Sequence, residues 1–218
     1  MIELGLDQVG SVLCLGAHPD DIEIGCGGLL LRLAERRPSV RVHWVVFSGR
    51  GPRAAEARRS ARTFLEGVTH PRIIVEAFED GFFPQDWARI KRRFERLKGA
   101  VSPDLVLTHS RDDRHQDHRV LSDLTWNTFR RHLILEYEVP KYDGDLGSPN
   151  VFVRLDEATC RRKAELVCGA FGSQGDKHWF TPDTFLGLMR LRGMECASPT
   201  SYAEAYYSRK LVLSVNTP

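Results

Sequence analysis

The sequence contains few cysteines, and their spacing fits neither a disulfide framework nor a thiolate zinc site. Its 218 residues include five cysteines, an odd number, and no Cys-x-x-Cys pair. This pattern argues against small disulfide-stapled scaffolds and against cysteine-based zinc modules. Cys14 falls in an apolar segment and Cys168 in a helical one, so we expect both to be reduced, buried thiols.

Long apolar runs and a strong excess of one charge are absent too. No apolar run approaches the roughly 20 residues that a membrane-spanning helix needs, and the first residues do not read as a secretory signal. The formal net charge is only +2, and the arginine-rich stretches at residues 50–62 and 89–98 lie mostly in helical patterns, where they are expected to form solvated faces. We therefore expect a cytoplasmic protein without a nucleic-acid partner. A homo-oligomer remains possible, because the sequence does not decide the oligomeric state.

Strand and helix patterns alternate along most of the chain. Apolar, β-branched runs predict strands at residues 11–16, 40–48, 72–78, 105–108 and 133–137, and helical patterns lie between them. This alternation predicts an α/β fold with a mostly parallel sheet and helices on both faces.

The pattern loosens in the last third of the chain. We predict a strand at 150–155, helices at 157–170 and 182–191, and a last strand at 209–215. No repeat or linker interrupts the sequence. We therefore expect a single domain over residues 1–218, with its C-terminal part covering one edge of the sheet.

The segment Ala17-His18-Pro19-Asp20-Asp21 directly follows the first predicted strand. It places one imidazole and two carboxylates at the carboxyl end of a strand, which is where open α/β sheets bind their ligands. Charges crowded in this way repel each other unless a cation or hydrogen bonds compensate them. We interpret this segment as one half of a metal site.

The fourth predicted strand also ends in a polar run, from His109 to His118. Because strand ends that are distant in sequence meet at one crevice of such a sheet, His118 is expected to approach His18 and Asp21. Three nitrogen and oxygen ligands with one open position are typical of catalytic zinc. The sequence therefore predicts a Zn²⁺ site formed by these three residues.

The remaining polar groups suit metal-assisted hydrolysis. Asp20 is a candidate general base toward a metal-activated water. His115 is a candidate donor to a developing oxyanion, and Asp117 is a candidate for orienting an imidazole. Asp and His at a helix start are also common as capping residues, so the segment at 115–118 alone leaves both interpretations open.

These motifs resemble a known family when they are taken together. Residues 17–21, the run Gly25-Cys26-Gly27-Gly28, residues 103–108 and His115-Gln116-Asp117-His118 occur in the order found in LmbE-like (PIG-L) N-acetylglucosaminyl deacetylases. The resemblance runs from about residue 12 to 123, with a weaker echo at 203–206. It implies a Rossmann-like α/β fold and zinc-dependent removal of N-acetyl groups from sugar-containing molecules.

The resemblance also implies roles for individual residues. The family's zinc ligands match His18, Asp21 and His118 of this chain. Its general base matches Asp20. The histidine that stabilises the tetrahedral intermediate or protonates the leaving amine matches His115, with Asp117 as its partner. Arg53 resembles the substrate-facing arginine of the family.

The chain departs from the family pattern in two places. Ile22-Glu23 stands where an acid usually follows the Asp pair, which leaves the role of Glu23 open. The oxyanion tyrosine of some members has two candidates here, Tyr137 and Tyr142, and the sequence does not choose between them.

Three functions remain to be compared. The first is a zinc-dependent deacetylase of an N-acetylated sugar or glycoconjugate. The second is a metal-dependent hydrolase of a non-sugar amide or ester, and the third a catalytically inactive sugar- or nucleotide-binding module. The glycine run at 25–28 lacks the third glycine of a dinucleotide fingerprint, so it is interpreted as a tight turn that allows close helix packing.

Overall fold

A computed structural model describes residues 2–213 and contains seven strands and six α-helices within them. The strands are β1 (Ser11–Gly16), β2 (Arg41–Val46), β3 (Arg72–Val75), β4 (Leu105–His109), β5 (Leu133–Tyr137), β6 (Val151–Leu155) and β7 (Tyr202–Tyr207). The helices are α1 (Asp21–Arg36), α2 (Gly51–Phe64), α3 (Trp87–Ala100), α4 (Gln116–Thr128), α5 (Glu157–Ala170) and α6 (Pro182–Glu195). Over the described part of the chain, none of these helices has the length and apolar character needed to cross a membrane.

All seven strands belong to one sheet in the order β3-β2-β1-β4-β5-β7-β6. The first five strands pair in parallel, whereas β7 joins β5 and β6 antiparallel. The predicted mostly parallel, Rossmann-like α/β fold is confirmed, and the C-terminal part extends the β5 edge. The strand order reverses between β1 and β4, so a crevice opens at their carboxyl ends, as in other doubly wound sheets.

The central strand β1 is fully buried because helices cover both faces of the sheet. Its side chains alternate between the faces with the two-residue period of a strand. Val12 and Cys14 belong to one apolar cluster, and Leu13 and Leu15 belong to a second one. Continuous apolar strands of this kind are expected where a parallel sheet is covered on both sides.

The prediction of a last strand at residues 209–215 is wrong for the residues that the structure describes. Residues 209–213 form no strand, and 214–215 lie outside the described residues. The last strand is β7, which pairs on both sides. The apolar run at 211–213 looked strand-like, but β7 already occupies the place beside β5. The strand β7 was not predicted because it contains Glu204, and a buried charged residue interrupts the apolar pattern of a strand.

Helix α1 breaks at Cys26, whose backbone (φ −141°, ψ 19°) is not helical. The glycines around this break are close-packing positions. A Cβ at Gly25 would overlap the ring of Tyr137, and one at Gly27 would come within 2.6 Å of Phe64. The interpretation of this run as a close-packing turn agrees with these contacts.

Candidate metal centre

The two polar segments meet at the carboxyl ends of β1 and β4. His18 follows β1, Asp21 begins α1, and His118 lies in the first turn of α4. His18 Nδ1 and His118 Nε2 are 3.1 Å apart, although 100 residues separate them in the chain. Asp21 lies beside both imidazoles: its Oδ2 is 3.3 Å from His18 Nδ1, and its Oδ1 is 3.5 Å from His118 Nε2. We call these three residues the ligand triangle.

The loop after β1 is held in place by hydrogen bonds within itself. The backbone N–H of His18 donates to Asp21 Oδ2 at 2.6 Å, and that of Ile24 donates to the carbonyl of Asp20 at 3.0 Å. Pro19 stiffens the turn because its ring fixes φ. The carboxylate of Asp21 is thus turned back over the loop toward both imidazoles.

Asp113 and Lys141 orient His118. The Nδ1 of His118 lies 2.8 Å from Asp113 Oδ2, and Lys141 Nζ lies 3.0 Å from Asp113 Oδ1. A carboxylate on the far nitrogen of an imidazole fixes the ring orientation and leaves the other nitrogen free to bind. Sequence reasoning gave Asp113 and Lys141 no role, although Asp113 lies within the polar run that follows β4.

Arg53 and Asp80 border the Asp20 carboxylate. Arg53 Nη1 donates to Asp80 Oδ2 at 2.8 Å, and Arg53 Nη2 lies 3.7 Å from Asp20 Oδ1. Asp80 Oδ1 lies 3.1 Å from His18 Nε2. The structure therefore places Arg53 at the predicted site and adds Asp80, which lies in the loop before Gly81 and was not predicted.

Asp117 is completely buried and ties this loop to α4. It accepts hydrogen bonds from the backbone N–H groups of Gly81 at 2.6 Å and Phe83 at 3.1 Å. Its Oδ2 also lies 3.2 Å from His18 Nε2. The imidazole next to its carboxylate is therefore that of His18, whereas its bond with His115 runs through the backbone.

His115 caps α4 and also faces the cavity. Its Nδ1 accepts from the backbone N–H of Asp117 at 3.3 Å. Its ring centroid lies 4.7 Å from that of His18 and 4.6 Å from that of His118. The capping and site interpretations of this residue are therefore compatible.

His109, the last residue of β4, contacts Asp21 and the loop that follows β1. Its Nε2 lies 3.2 Å from Asp21 Oδ2 and accepts from the backbone N–H of Ala17 at 3.0 Å. Tyr137 packs beside it and donates its hydroxyl hydrogen to the carbonyl of Leu15. The signal that could have identified His109 is a polar residue at the end of a fully buried strand.

Charges inside the site shift the titration of its members. Burial disfavours ionisation of Asp21, but His118 and His109 outweigh it and hold the pKa of this carboxyl well below its usual range. Burial also opposes protonation of His18, yet Asp21 and Asp117 raise the pKa of its imidazole well above the ordinary value. The site therefore favours an ionised Asp21 carboxylate next to the imidazole of His18.

Asp20 and His115 are shifted in opposite directions. Burial and the neighbouring charge of Asp21 raise the pKa of Asp20, and Arg53 opposes this shift only in part. Burial and the nearby His118 lower the pKa of His115. Two neighbouring groups with displaced pKa values are typical of an acid–base pair in an active site.

A cavity of about 330 Å³ opens above these side chains. Five of the six predicted catalytic and ligand residues line it, and Asp117 does not. We call the side formed by these five and Arg53 the inner wall; its residues are His18, Asp20, Asp21, Arg53, His115 and His118. We call the other side of the cavity, formed by Tyr142, Gln174, Lys177 and Trp179, the outer wall. Tyr142 lies at the rim and Tyr137 is fully buried outside the cavity lining, so the geometry makes neither an obvious oxyanion donor.

Several groups of ligand atoms in this region could hold an ion. Nitrogen and oxygen atoms come within 4.8 Å of one another in three sets, which are His18, His115 and His118; Asp21, His109 and His118; and His18, Asp80 and Asp117. All three sets contain His18 or His118, so they overlap around these two imidazoles, but the predicted set of His18, Asp21 and His118 is not itself one of the three.

Comparison with known proteins gives a consistent result. Residues 13–129 match the family model for GlcNAc-PI de-N-acetylase (PIG-L). The chain is 30% identical over 138 residues to the uncharacterized deacetylase YaiS of Escherichia coli (strain K12). The aligned region covers 59% of this chain and 74% of that protein.

Solved structures share the fold at low sequence identity. N,N'-diacetylchitobiose deacetylase from Pyrococcus horikoshii superposes with a TM-score of 0.69 at 19% identity, over 92% of this chain and 84% of that one. The 4-carboxy-2-hydroxymuconate hydratase GalB from Pseudomonas putida KT2440 superposes with a TM-score of 0.67 at 17% identity, over 95% and 99%. One fold thus occurs in a deacetylase and in a hydratase.

Proposed function

The chain belongs to the GlcNAc-PI de-N-acetylase (PIG-L) family, and we propose that it is a zinc-dependent hydrolase that removes an N-acetyl group from an N-acetylglucosamine-type amino sugar or its conjugate. The reaction releases acetate and a free amine. The observation that carries this proposal is the triangle of ligand atoms from His18, Asp21 and His118, with the Asp20 carboxylate beside it.

The distances between neighbouring ligand atoms are close to those of a zinc site. Two ligands bound about 2.0–2.1 Å from a tetrahedral zinc ion are roughly 3.3–3.4 Å apart. The two imidazole nitrogens here are 3.1 Å apart, and Asp21 lies 3.3 Å from one through Oδ2 and 3.5 Å from the other through Oδ1. Two imidazoles and one carboxylate are also a donor set that catalytic zinc uses, with the remaining position open. These residues would therefore hold the metal, and Asp113 would orient His118.

Asp20 would accept the proton of the attacking water. A zinc ion in the site supplies Lewis acidity, which makes water nucleophilic near neutral pH. The raised pKa of Asp20 suits a general base, because a base works best when its pKa lies close to the working pH. Arg53 keeps this carboxylate inside the cavity and is a candidate contact for the substrate.

His115 would donate a hydrogen bond to the oxygen that becomes negatively charged. Because its Nδ1 accepts from the backbone of Asp117, the hydrogen of the neutral ring lies on Nε2. That hydrogen would be donated as a hydrogen bond to the oxyanion, and the proton that Asp20 takes from the water would pass to the leaving amine. Asp117 would hold His18 and the loop at Gly81 in register with α4.

The outer wall suits a sugar acceptor. Tyr142 and Trp179 present aromatic rings with centroids 6.3 Å apart in an edge-to-face arrangement. Gln174 is buried at the same wall, and its Oε1 has no partner among the described residues. Aromatic faces with a few fixed polar groups are the usual composition of a small-molecule pocket.

A non-sugar substrate is the second candidate. The observation in its favour is the similarity in fold to a hydratase that acts on a muconate. Fold similarity at this identity leaves chemistry to the site, because one fold supports several reactions. The match to the GlcNAc-PI de-N-acetylase family and the aromatic outer wall favour the deacetylase of a sugar.

The deciding experiment is an acetate- and amine-release assay on a panel of N-acetylglucosamine, N-acetylated disaccharides, lipid-linked N-acetyl sugars and simple N-acetyl amides. We expect turnover of one sugar-containing class that disappears on chelation and returns with Zn²⁺. Release from simple amides alone would favour the second candidate. No release from any member by zinc-loaded protein would contradict the proposed function.

A further inference from the structure

The break in α1 contains a buried ion pair from distant parts of the chain. Lys163 on α5 and Glu204 on β7 lie 2.7 Å apart, and their side chains are only 3% and 2% exposed. No role in the proposed reaction explains two fully buried charges at this place. Their hydrogen bonds show what the pair does in the fold.

The ion pair binds two backbone groups that would hydrogen-bond to each other in an uninterrupted helix. In a regular α-helix the N–H of Gly28 would donate to the carbonyl of Ile24, four residues earlier. Here the Gly28 N–H donates to Glu204 Oε1 at 2.6 Å, and Lys163 Nζ donates to the Ile24 carbonyl at 2.6 Å. A side chain that enters the backbone ladder is a recognised cause of a helix kink.

Each charge lies at the helix end that it stabilises. Glu204 also accepts from the N–H of Leu29 at 2.8 Å, so it caps the start of the second helical segment as an N-cap side chain would. Lys163 caps the carbonyl end of the first segment. Anions are favoured at helix N-termini and cations at C-termini, so the pair matches both local dipoles.

The sequence around the break is adapted to this arrangement. A Cβ at Gly28 would lie 2.9 Å from Glu204 Oε1, so a larger residue would push the carboxylate away. Tyr206 donates its hydroxyl hydrogen to Glu204 Oε2 at 2.8 Å. The weak resemblance to the family at residues 203–206 thus lies in β7, the strand that contains the capping residue Glu204.

The first segment of α1, residues 21–25, carries Asp21 and is only one turn and a half long. A segment this short has little stability of its own, so its direction depends on what holds its C-terminal end. We infer that Lys163 and Glu204 are positioning residues that hold this segment and thereby place Asp21 at the metal centre. This inference rests on the proposed function, because it assigns Asp21 to the metal.

The test measures Zn²⁺ affinity by competition with a chromophoric chelator, using Zn²⁺ alone as the probe. The variants are Lys163→Met, Lys163→Arg and Glu204→Gln. The matched control is Arg192→Met, which breaks a second buried ion pair, Arg192 with Glu138, of 2.6 Å and 3% and 5% exposure that makes no hydrogen bond to α1. All measurements are made well below each variant's Tm.

We expect Lys163→Met to raise the Kd for Zn²⁺ on the order of 10-fold, since supporting residues of metal sites have effects of this size. The conservative variant Lys163→Arg should retain most of the Zn²⁺ affinity. The control Arg192→Met should leave the Kd for Zn²⁺ within about twofold of the wild type. In the Glu204→Gln variant, hydrogen exchange at the Gly28 and Leu29 amides should quicken together with the rise in Kd.

Two results would overturn the positioning role. One is an unchanged Kd in folded Lys163→Met and Glu204→Gln, and the other is an equal shift in Arg192→Met. If Lys163→Met does not fold, the nearly isosteric Glu204→Gln decides alone. A wild-type protein that binds no Zn²⁺ would overturn the proposed function and the positioning role together, whereas normal binding with unaffected variants overturns only the positioning role.

Discussion

The inner and outer walls of the cavity differ in how they are built. The inner wall is formed mainly by side chains of two short segments that contact each other, as His18 does with His118 and Asp117. The outer wall is more open at Tyr142, which is 66% exposed. This difference suggests that the inner wall performs the chemistry and the outer wall selects the acceptor.

Removing a proposed ligand should have the largest effect on this comparison. His118→Ala takes away one corner of the ligand triangle, so we expect loss of stoichiometric zinc and of turnover. Metal content by elemental analysis checks this. The control is His70→Ala, which changes an exposed histidine. Full zinc occupancy in the His118→Ala protein would exclude His118 as a ligand.

Asp20→Asn should separate catalysis from metal binding on the same wall. The amide preserves shape but cannot accept a proton, so kcat should fall by roughly 10²–10⁴-fold while zinc content stays unchanged. Steady-state kinetics with metal analysis measures both. Asp123→Asn on the exposed face of α4 is the control. Turnover at the wild-type rate would remove Asp20 from the role of base.

Asp113→Asn should weaken the inner wall without removing a ligand. The carboxylate that orients His118 Nδ1 becomes an amide, and we expect zinc affinity to fall about 10–100-fold. Titration against a competing chelator gives the Kd. Asp112→Asn, at an 81% exposed neighbour, should have no effect. Equal affinities in the two variants would show that His118 needs no orientation by Asp113.

Trp179→Ala should affect the outer wall only. Loss of an aromatic face that contacts the acceptor is expected to raise KM for a sugar substrate about 10-fold, equivalent to roughly 1.4 kcal/mol, with little change in kcat or in zinc content. Trp87→Ala, at a 44% exposed tryptophan outside the cavity, is the control. A fall in kcat with constant KM would place Trp179 in the chemical step instead and blur the distinction between the walls.

The same two regions differ in how much the sequence reveals. The elements around the inner wall have local signals: the bounds of β1 agree with the apolar pattern, and α1 ends at Arg36 before Pro38 as predicted. His18, Asp21 and His118 were placed together because strand order in an α/β fold brings the ends of β1 and β4 to one crevice. The contact between the two halves therefore follows from topology.

Other features depend on contacts that no local pattern encodes. Asp80 reaches His18 from a loop that Asp117 binds at Gly81, and Gln174 joins the cavity from a loop beyond α5. The strand β7 was missed because it contains the charged Glu204. The burial of this residue is explained by Lys163, Tyr206 and the break in α1. Buried polar groups are satisfied by distant partners here, so their positions emerge only in three dimensions.

The central claim is that His18, Asp21 and His118 bind one zinc ion, and anomalous diffraction at the zinc absorption edge from crystals of zinc-loaded protein tests it most directly. The account predicts a single strong peak about 2.0–2.2 Å from a ligand atom of each of the three residues. A peak among His18, Asp80 and Asp117 instead, or no peak in the cavity at full zinc loading, would contradict it.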